Sequence, residues 1–277
     1  MAKAILYDES KCTACRACYV ACKQWNVLSA AENKKLGTYY NALTLGGTTW
    51  NLIDFIEKDD PDRFRWHFIT QRCMHCGDPS CAKVCAAGAI SKDEETGFVL
   101  IDNDKCLGCK NCHYACPFWE GVPRFREEIS ESEKEWMDEG NEVPGKRVAG
   151  TMFKCRGCID RVQNGLEPAC VTTCPPDALQ FGDRAEMLAV ADARVALLKE
   201  RGEAKAQIYN PEGVGGTGVI YVLTDDPEVY GLPADPKVST ADMVTKWLTG
   251  LITAGILTIV PFWMVFKAAE AEGKGGE

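Results

Sequence analysis

Cys12-Thr13-Ala14-Cys15-Arg16-Ala17-Cys18-Tyr19-Val20-Ala21-Cys22 crowds four cysteines together near the start of a 277-residue chain. The same spacing, C-x2-C-x2-C-x3-C, returns at Cys106, Cys109, Cys112 and Cys116. Two wider groups stand at Cys73, Cys76, Cys81, Cys85 and at Cys155, Cys158, Cys170, Cys174. All 16 cysteines lie in these four groups. In the compact run, three thiolates wrap one 4Fe-4S cubane while the fourth reaches across to a neighbouring one. Four groups of four therefore predict four 4Fe-4S clusters and a chain that moves electrons. Disulfide frameworks suit small secreted domains, whereas this chain, at 46% apolar composition, can bury a core without staples. No signal peptide is expected ahead of the first group. Zinc favours two separated C-x2-C pairs, and three thiols within seven residues crowd a single tetrahedral ion.

Because the fourth cysteine of such a run serves another cluster, the groups must pair, and strand signals choose the partners. Between Cys85 and Cys106, Ala89-Ile90, a polar turn over residues 93–97 and an apolar run over 98–101 read as a hairpin joining the second and third groups. Ala4-Ile5-Leu6-Tyr7 precedes the first group and Ala178-Leu179-Gln180-Phe181 follows the fourth; these read as paired strands of a second unit. The expected fold class is α+β, with two ferredoxin-like two-cluster units, one nested in the other, and a single C-terminal transmembrane helix. Residues 1–60 and 146–240 make the outer unit with its extension, 61–145 the inserted unit and 245–267 the anchor. The expected ligand sets are Cys12, Cys15, Cys18 with Cys174; Cys22 with Cys155, Cys158, Cys170; Cys73, Cys76, Cys81 with Cys116; and Cys85 with Cys106, Cys109, Cys112. Adjacent pairing, one with two and three with four, is the alternative; it makes the 50 residues between Cys22 and Cys73 an insertion within one unit. Gly77-Asp78-Pro79-Ser80 reads as a turn that widens the second group. Pro117 and Pro175 follow the last cysteines of the third and fourth groups, as in the bacterial C-x2-C-x2-C-x3-C-P run.

The formal charge of -9 argues against a nucleic-acid partner. Each oxidised cubane with four thiolates carries about -2, so four of them bring the loaded protein to about -17. A basic residue stands directly before every group: Lys11, Arg72, Lys105 and Lys154. These four are candidates for offsetting cluster charge and raising reduction potentials; solvated surface cations are the alternative reading.

Residues 247–266 form a run of twenty without charge, bracketed by Lys246 and Lys267. At 1.5 Å per residue the run spans about 30 Å, the hydrocarbon thickness of a bilayer, and it reads as a membrane anchor. Trp247 and Trp263 suit the interfaces, and Pro261 predicts a kink. Lys237 and Lys246 on one side balance Lys267 and Lys274 on the other, so charge leaves the orientation open. Gly213-Val214-Gly215-Gly216-Thr217-Gly218 fits G-x-G-x-x-G, but that motif needs a following helix to hold a pyrophosphate. Here the apolar Val219-Ile220-Tyr221-Val222-Leu223 follows, so a glycine-rich hairpin loop is expected. Residues 183–201 carry Met187, Leu188, Ala191, Val195 and Leu198 at helical spacing, closed by Gly202, and predict a core helix. Nine acidic residues over 120–142 read as a solvated loop, with contact to a partner subunit as the alternative. His67, His75 and His113 are expected to pack beside the clusters rather than bind iron. No nucleophile, acid–base pair or other catalytic constellation stands out, so no substrate conversion is expected on this chain.

Over nearly its whole length the chain resembles the iron-sulfur (beta) subunit of membrane-bound molybdenum- or tungsten-dependent formate dehydrogenases. The resemblance is carried by the first group with Lys23-Gln24-Trp25-Asn26 after it, and by Lys154-Cys155-Arg156-Gly157-Cys158-Ile159-Asp160-Arg161. Glu167-Pro168-Ala169-Cys170 with Cys174-Pro175, and Tyr230-Gly231-Leu232-Pro233 before the terminal helix, carry it further. It implies a non-catalytic subunit of an oxidoreductase complex, taking electrons from a pterin-bearing, formate-oxidising alpha subunit and passing them to a cytochrome b subunit and quinone. It also implies nested cluster pairing, and an extracytoplasmic, periplasmic location reached by export with a partner that bears the twin-arginine signal. The electron-transfer subunit of a membrane-bound uptake hydrogenase, and a self-standing membrane-tethered polyferredoxin, are the alternatives.

Overall fold

The computed structural model describes residues 2–30, 42–60, 64–141, 145, 148–241 and 243–273; Glu142 and Lys274, used above, lie outside them. In chain order the elements are β1 (Lys3–Asp8), α1 (Ala17–Trp25), β2 (Asn51–Asp59), β3 (Phe64–Arg72), α2 (Ser80–Lys83), β4 (Ile90–Lys92), β5 (Val99–Ile101), α3 (Asn111–Tyr114), β6 (Arg124–Arg126) and α4 (Glu131–Asp138). They continue with β7 (Thr151–Phe153), α5 (Ile159–Gln163), α6 (Ala169–Thr172), β8 (Leu179–Asp183), α7 (Arg184–Glu200), β9 (Gln207–Tyr209), β10 (Val219–Leu223) and α8 (Met243–Gly273). Two compact units result, Met1–Ser239 and Thr240–Glu277.

The larger unit is organised by a four-stranded sheet in the order β8-β1-β10-β9. Its centre is the parallel pair of β1 and β10, aligned from Ile5 opposite Val219 to Asp8 opposite Val222. Parallel strands are buried on both faces, which accounts for the unbroken apolar runs of β1 and β10. On one face Ala4, Leu6, Ile220 and Val222 pack with Met187, Ala191 and Leu198 of α7. Burying each of Leu6, Ile220 and Val222 contributes about 1.5–3 kcal/mol. Ile5 and Tyr7, pointing the other way by strand alternation, face the cysteine groups. The expected helix is thus found, starting after Asp183 and closing at Gly202 with φ +94°.

The strand before the first group and the strand after the fourth pair antiparallel, Lys3 opposite Asp183 through Tyr7 opposite Leu179. The latter strand runs two residues further than its apolar core suggested. The expected hairpin between the second and third groups is β4–β5, with Ile90 opposite Ile101. The glycine-rich segment lies between the antiparallel strands β9 and β10, as the expected hairpin loop. Sequence reasoning did not foresee the β2–β3 hairpin of two nine-residue strands, which sets Arg72 opposite Asn51 at its base, directly before Cys73.

The acidic segment is not simply a solvated loop. It holds β6 and the helix α4, started by a capping box in which Ser130 and Glu133 satisfy each other's backbone N–H groups. Glu133 is buried in an ion pair with Arg126, and a charge so placed needs a partner of opposite sign. The smaller unit contains α8, whose Thr245–Lys267 stretch is long and apolar enough to cross a membrane and has no buried residue.

Candidate metal centre

Each cysteine group opens with the same backbone device. The residue immediately before the second cysteine adopts positive φ in all four: Ala14 (+54°), His75 (+47°), Gly108 (+64°) and Gly157 (+66°). In the compact groups a second such residue, Arg16 or Lys110, follows that cysteine. Left-handed residues turn the chain sharply, so that sulfurs separated by two residues face one centre and backbone N–H groups turn inward. The N–H groups of Ala14 and Gly157 donate to Cys12 Sγ and Cys155 Sγ, each at 3.4 Å, and Met152 N–H donates to Cys106 Sγ at 3.4 Å. Such donors favour thiolate over thiol. At Gly157 a side chain is excluded outright, because a Cβ would stand 2.4 Å from the Phe98 ring.

The electrostatic neighbours of four thiols fall within the expected sets, while, beyond the effect of burial, Cys18 is also raised by Cys170 and Cys155 by Cys73, across them. Burial pushes Cys22 well up, and the thiolates that add to the shift are Cys155, Cys158 and Cys170. Burial likewise raises Cys12, with Cys174 adding to it. Cys76 is raised by burial, then by Cys73, Cys116 and Cys81. Cys112 is pushed up to about 12 by burial, then by Cys106, Cys109 and Cys85. A small cavity is lined by Cys22, Cys155, Cys158 and Cys170 together with Ile5, Asn26, Trp50 and Arg72. Thiols crowded in this way resist joint ionisation unless a cationic group enters among them, and the donors are uniformly sulfur, which suits iron cubanes. Among the described residues no three His, Cys, Asp or Glu side chains converge where one metal ion would sit. A cubane presents a separate iron to each thiolate and does not ask them to.

The four preceding cations divide in two. Arg72 and Lys154 are buried, at 1% and 3% exposure. Arg72 donates from Nη1 to Cys170 Sγ at 3.3 Å and from Nε to Thr70 Oγ1 at 3.1 Å. Lys154 donates to the carbonyls of Val99 and Cys155, and its charge favours the thiolates of Cys81 and Cys116. Lys105 is exposed and pairs with Asp102 at 3.0 Å, and Lys11 is half-buried. Two cysteines are exposed, Cys15 and Cys109, one in each compact group.

The histidines serve packing. His67 is buried beside Glu9 and Tyr230, each 3.1 Å from Nδ1. His75 Nδ1 accepts the Val99 N–H at 3.0 Å, and burial holds its pKa well below the ordinary histidine value, so the ring is neutral. His113 Nδ1 lies 3.0 Å from the Pro123 carbonyl.

Two contributions escaped sequence reasoning. Asn26, four residues after Cys22 on the same helix face, donates to Cys22 Sγ at 3.8 Å; its i,i+4 position is a signal that was available. The glycine loop clamps the second group, with Gly77 N–H on the Gly216 carbonyl at 2.8 Å and Gly218 N–H on the Met74 carbonyl at 2.9 Å. A Cβ on Gly77 would lie 1.9 Å from the Gly215 carbonyl oxygen, so glycine is needed for the two backbones to meet.

Two family models, each described as a 4Fe-4S dicluster domain, match the chain, one over residues 64–138 and 141–184 and the other over 11–89. The nitrate-inducible formate dehydrogenase iron-sulfur subunit of Escherichia coli is 41% identical over 259 residues, covering 91% of this chain and 80% of that protein. Formate dehydrogenase 2 subunit beta (cytochrome c-553) of Nitratidesulfovibrio vulgaris is 34% identical, covering 83% of this chain and 97% of its own length. The formate dehydrogenase subunit beta of Megalodesulfovibrio gigas is 35% identical, again covering 83% of this chain and 97% of its own length.

Proposed function

Because this polypeptide belongs to the family of formate dehydrogenase iron-sulfur subunits, we propose that it holds four 4Fe-4S clusters in two nested units and wires a pterin-bearing, formate-oxidising subunit to a membrane cytochrome b and quinone. Cluster A takes Cys12, Cys15, Cys18 and Cys174; cluster B takes Cys22, Cys155, Cys158 and Cys170. Cluster C takes Cys73, Cys76, Cys81 and Cys116; cluster D takes Cys85, Cys106, Cys109 and Cys112. The observation that carries the reading is the cavity in which Cys22 meets three thiols more than 130 residues further along the sequence. The neighbour relations of Cys12, Cys76 and Cys112 support the other three sets, and the β1–β8 pairing supports the enclosure of one unit by the other.

When bound, the clusters supply one-electron redox centres. The protein holds the sulfurs, turns backbone N–H groups toward them and excludes water from the inner pair. Lys11, Arg72, Lys105 and Lys154 place positive charge beside the groups and raise potentials; burial makes Arg72 and Lys154 the strong members, since solvent screens the exposed Lys105. The catalytic site belongs to the partner. The Thr245–Lys267 helix anchors the chain in the membrane, with the cluster unit on the extracytoplasmic face.

Anaerobic purification of the complex followed by iron and sulfide assay should return about sixteen irons per chain, and formate should bleach the cluster absorbance. Far fewer irons, or zinc in their place, would overturn the reading. Deleting residues 247–266 should leave the iron content unchanged and release the complex from membranes; loss of iron on that deletion would contradict the anchor.

A further inference from the structure

The base of the β2–β3 hairpin borders the small cavity lined by Cys22, Cys155, Cys158 and Cys170. Two tyrosines of the central sheet hold the hairpin there: the Tyr7 hydroxyl donates to the Phe68 carbonyl at 2.6 Å, and the Tyr221 hydroxyl to the Thr70 carbonyl at 2.8 Å. Asn51 and Arg72 stand opposite each other across the two strands, and both line the cavity. Residues two apart in a strand share a face, so Thr70 lies on the same side as Arg72. The three buried side chains form a relay with a fixed direction. Arg72 Nε donates to Thr70 Oγ1 at 3.1 Å, and a guanidinium can only donate. The threonine proton is therefore left for Asn51 Oδ1, 2.6 Å away. That bond orients the amide: Oδ1 faces Thr70, and Nδ2 is the end that remains. Asn51 Nδ2 is buried without a hydrogen-bond partner, and so is Arg72 Nη2. Unmet donors in a protein interior are costly, and the cavity beside these two offers sulfur as the acceptor. Arg72 Nη1 already donates to Cys170 Sγ at 3.3 Å.

We propose that Asn51 is a positioning residue of cluster B: its Nδ2–H donates to cluster sulfur, and through Thr70 its Oδ1 holds the Arg72 guanidinium against Cys170. The inference rests on the ligand set proposed above for cluster B. Hydrogen bonds to cluster sulfur favour the more negative, reduced state, so the relay raises the potential of B. In the electron step a neighbouring cluster is oxidised as B is reduced by one electron. No bond forms or breaks and no proton moves; formate oxidation in the partner supplies the electron and the downstream acceptor removes it. The hairpin, whose strands carry no cysteine, thereby acts on the redox centre it covers. Burial raises Cys18, assigned to cluster A, and Asn51 is among the groups that oppose the rise. Cluster A therefore follows B, but by less, since the Arg72 contact is to a sulfur of B.

Redox titration of the anaerobic complex, followed by electron paramagnetic resonance, tests the proposal, with B identified as the signal that Cys22→Ser and Cys158→Ser both perturb. Asn51→Leu with full iron content should make B about tenfold harder to reduce, about 59 mV for a one-electron couple, with smaller falls or none in the other clusters. Thr70→Val should lower B in the same direction by less, and Thr70→Ser, which keeps the hydroxyl, should leave B at the wild-type value. Packing alone predicts the reverse order, because valine keeps the shape of threonine and serine loses a methyl group. An unmoved B, a fall in any other cluster as large as that in B, or serine behaving as valine overturns the proposal. Should Asn51→Leu fail to load iron, the two Thr70 variants decide by the same criteria. If Cys22→Ser and Cys158→Ser perturb different signals, the ligand set itself has failed, an outcome distinct from failure of Asn51.

Discussion

The compact and the widened cysteine groups differ in how far their outermost sulfur and the preceding cation reach into solvent. In the compact groups the second cysteine is exposed, Cys15 and Cys109, and the preceding cation lies wholly or partly in solvent. In the widened groups Cys73, Cys155, Cys158 and Cys170 are buried, and the preceding cations Arg72 and Lys154 are buried with them. Each proposed unit pairs one group of each kind, so in that proposal clusters A and D each include one of the exposed cysteines, Cys15 and Cys109, while B and C include neither. The longer spacings allow this. Extra residues between cysteines, such as 77–80 and 159–169, leave room for the short helices α2, α5 and α6 and for the glycine clamp to cover the sulfurs. A wire needs sulfur near the surface at its ends and insulation between them.

The sharpest way to break this contrast is at the ligands. Cys158→Ala should abolish assembly of the holoprotein, because cluster binding at the centre is also folding free energy, whereas Cys15→Ala should leave a folded chain with about twelve irons. Equal iron loss from the two variants, by metal assay, would erase the distinction. Next come the glycines. Gly157→Ala forces a Cβ into Phe98 at positive φ and should cost about 2–5 kcal/mol in unfolding of the holoprotein, while Gly165→Ala, at φ +73° in open space, should cost about 1–2 kcal/mol.

The cations sharpen the same comparison. Lys154→Met leaves the buried carbonyls of Val99 and Cys155 without their donor, about 1–3 kcal/mol for each, and should lower the potential of cluster C. Lys105→Met should leave stability unchanged and lower the neighbouring potential far less than Lys154→Met does, since solvent screens its charge; an equal effect from the two would mean that depth is irrelevant. The smallest effect concerns pH. Burial alone would raise Asp225, but hydrogen bonds from Lys205 and Lys58 hold its carboxyl well below the usual carboxylate range. With the folded value depressed, the contribution is complete above the ordinary Asp pKa and is lost as pH falls below about 4. Asp225→Asn should therefore flatten the melting temperature of the holoprotein against pH in that window.

The sequence by itself marked out the 16 candidate thiolates in four groups, because cysteines that share a cluster announce themselves by spacing within a few residues. The β4–β5 hairpin, the α7 helix and the apolar run of α8 were legible for the same reason, since periodicity and turn residues are local properties. Arg72, Lys105, Lys11 and Lys154 read alike in the sequence, each a cation before a cysteine. Only the tertiary structure decided that Arg72 crosses to Cys170, 98 residues away, while Lys105 stays in water with Asp102. The buried partnership of Arg126 with Glu133 and the glycine clamp on the second group were hidden in the same way. Burial and charge pairing are fixed by elements that meet only after the sheet has closed, and no single stretch of sequence carries that information.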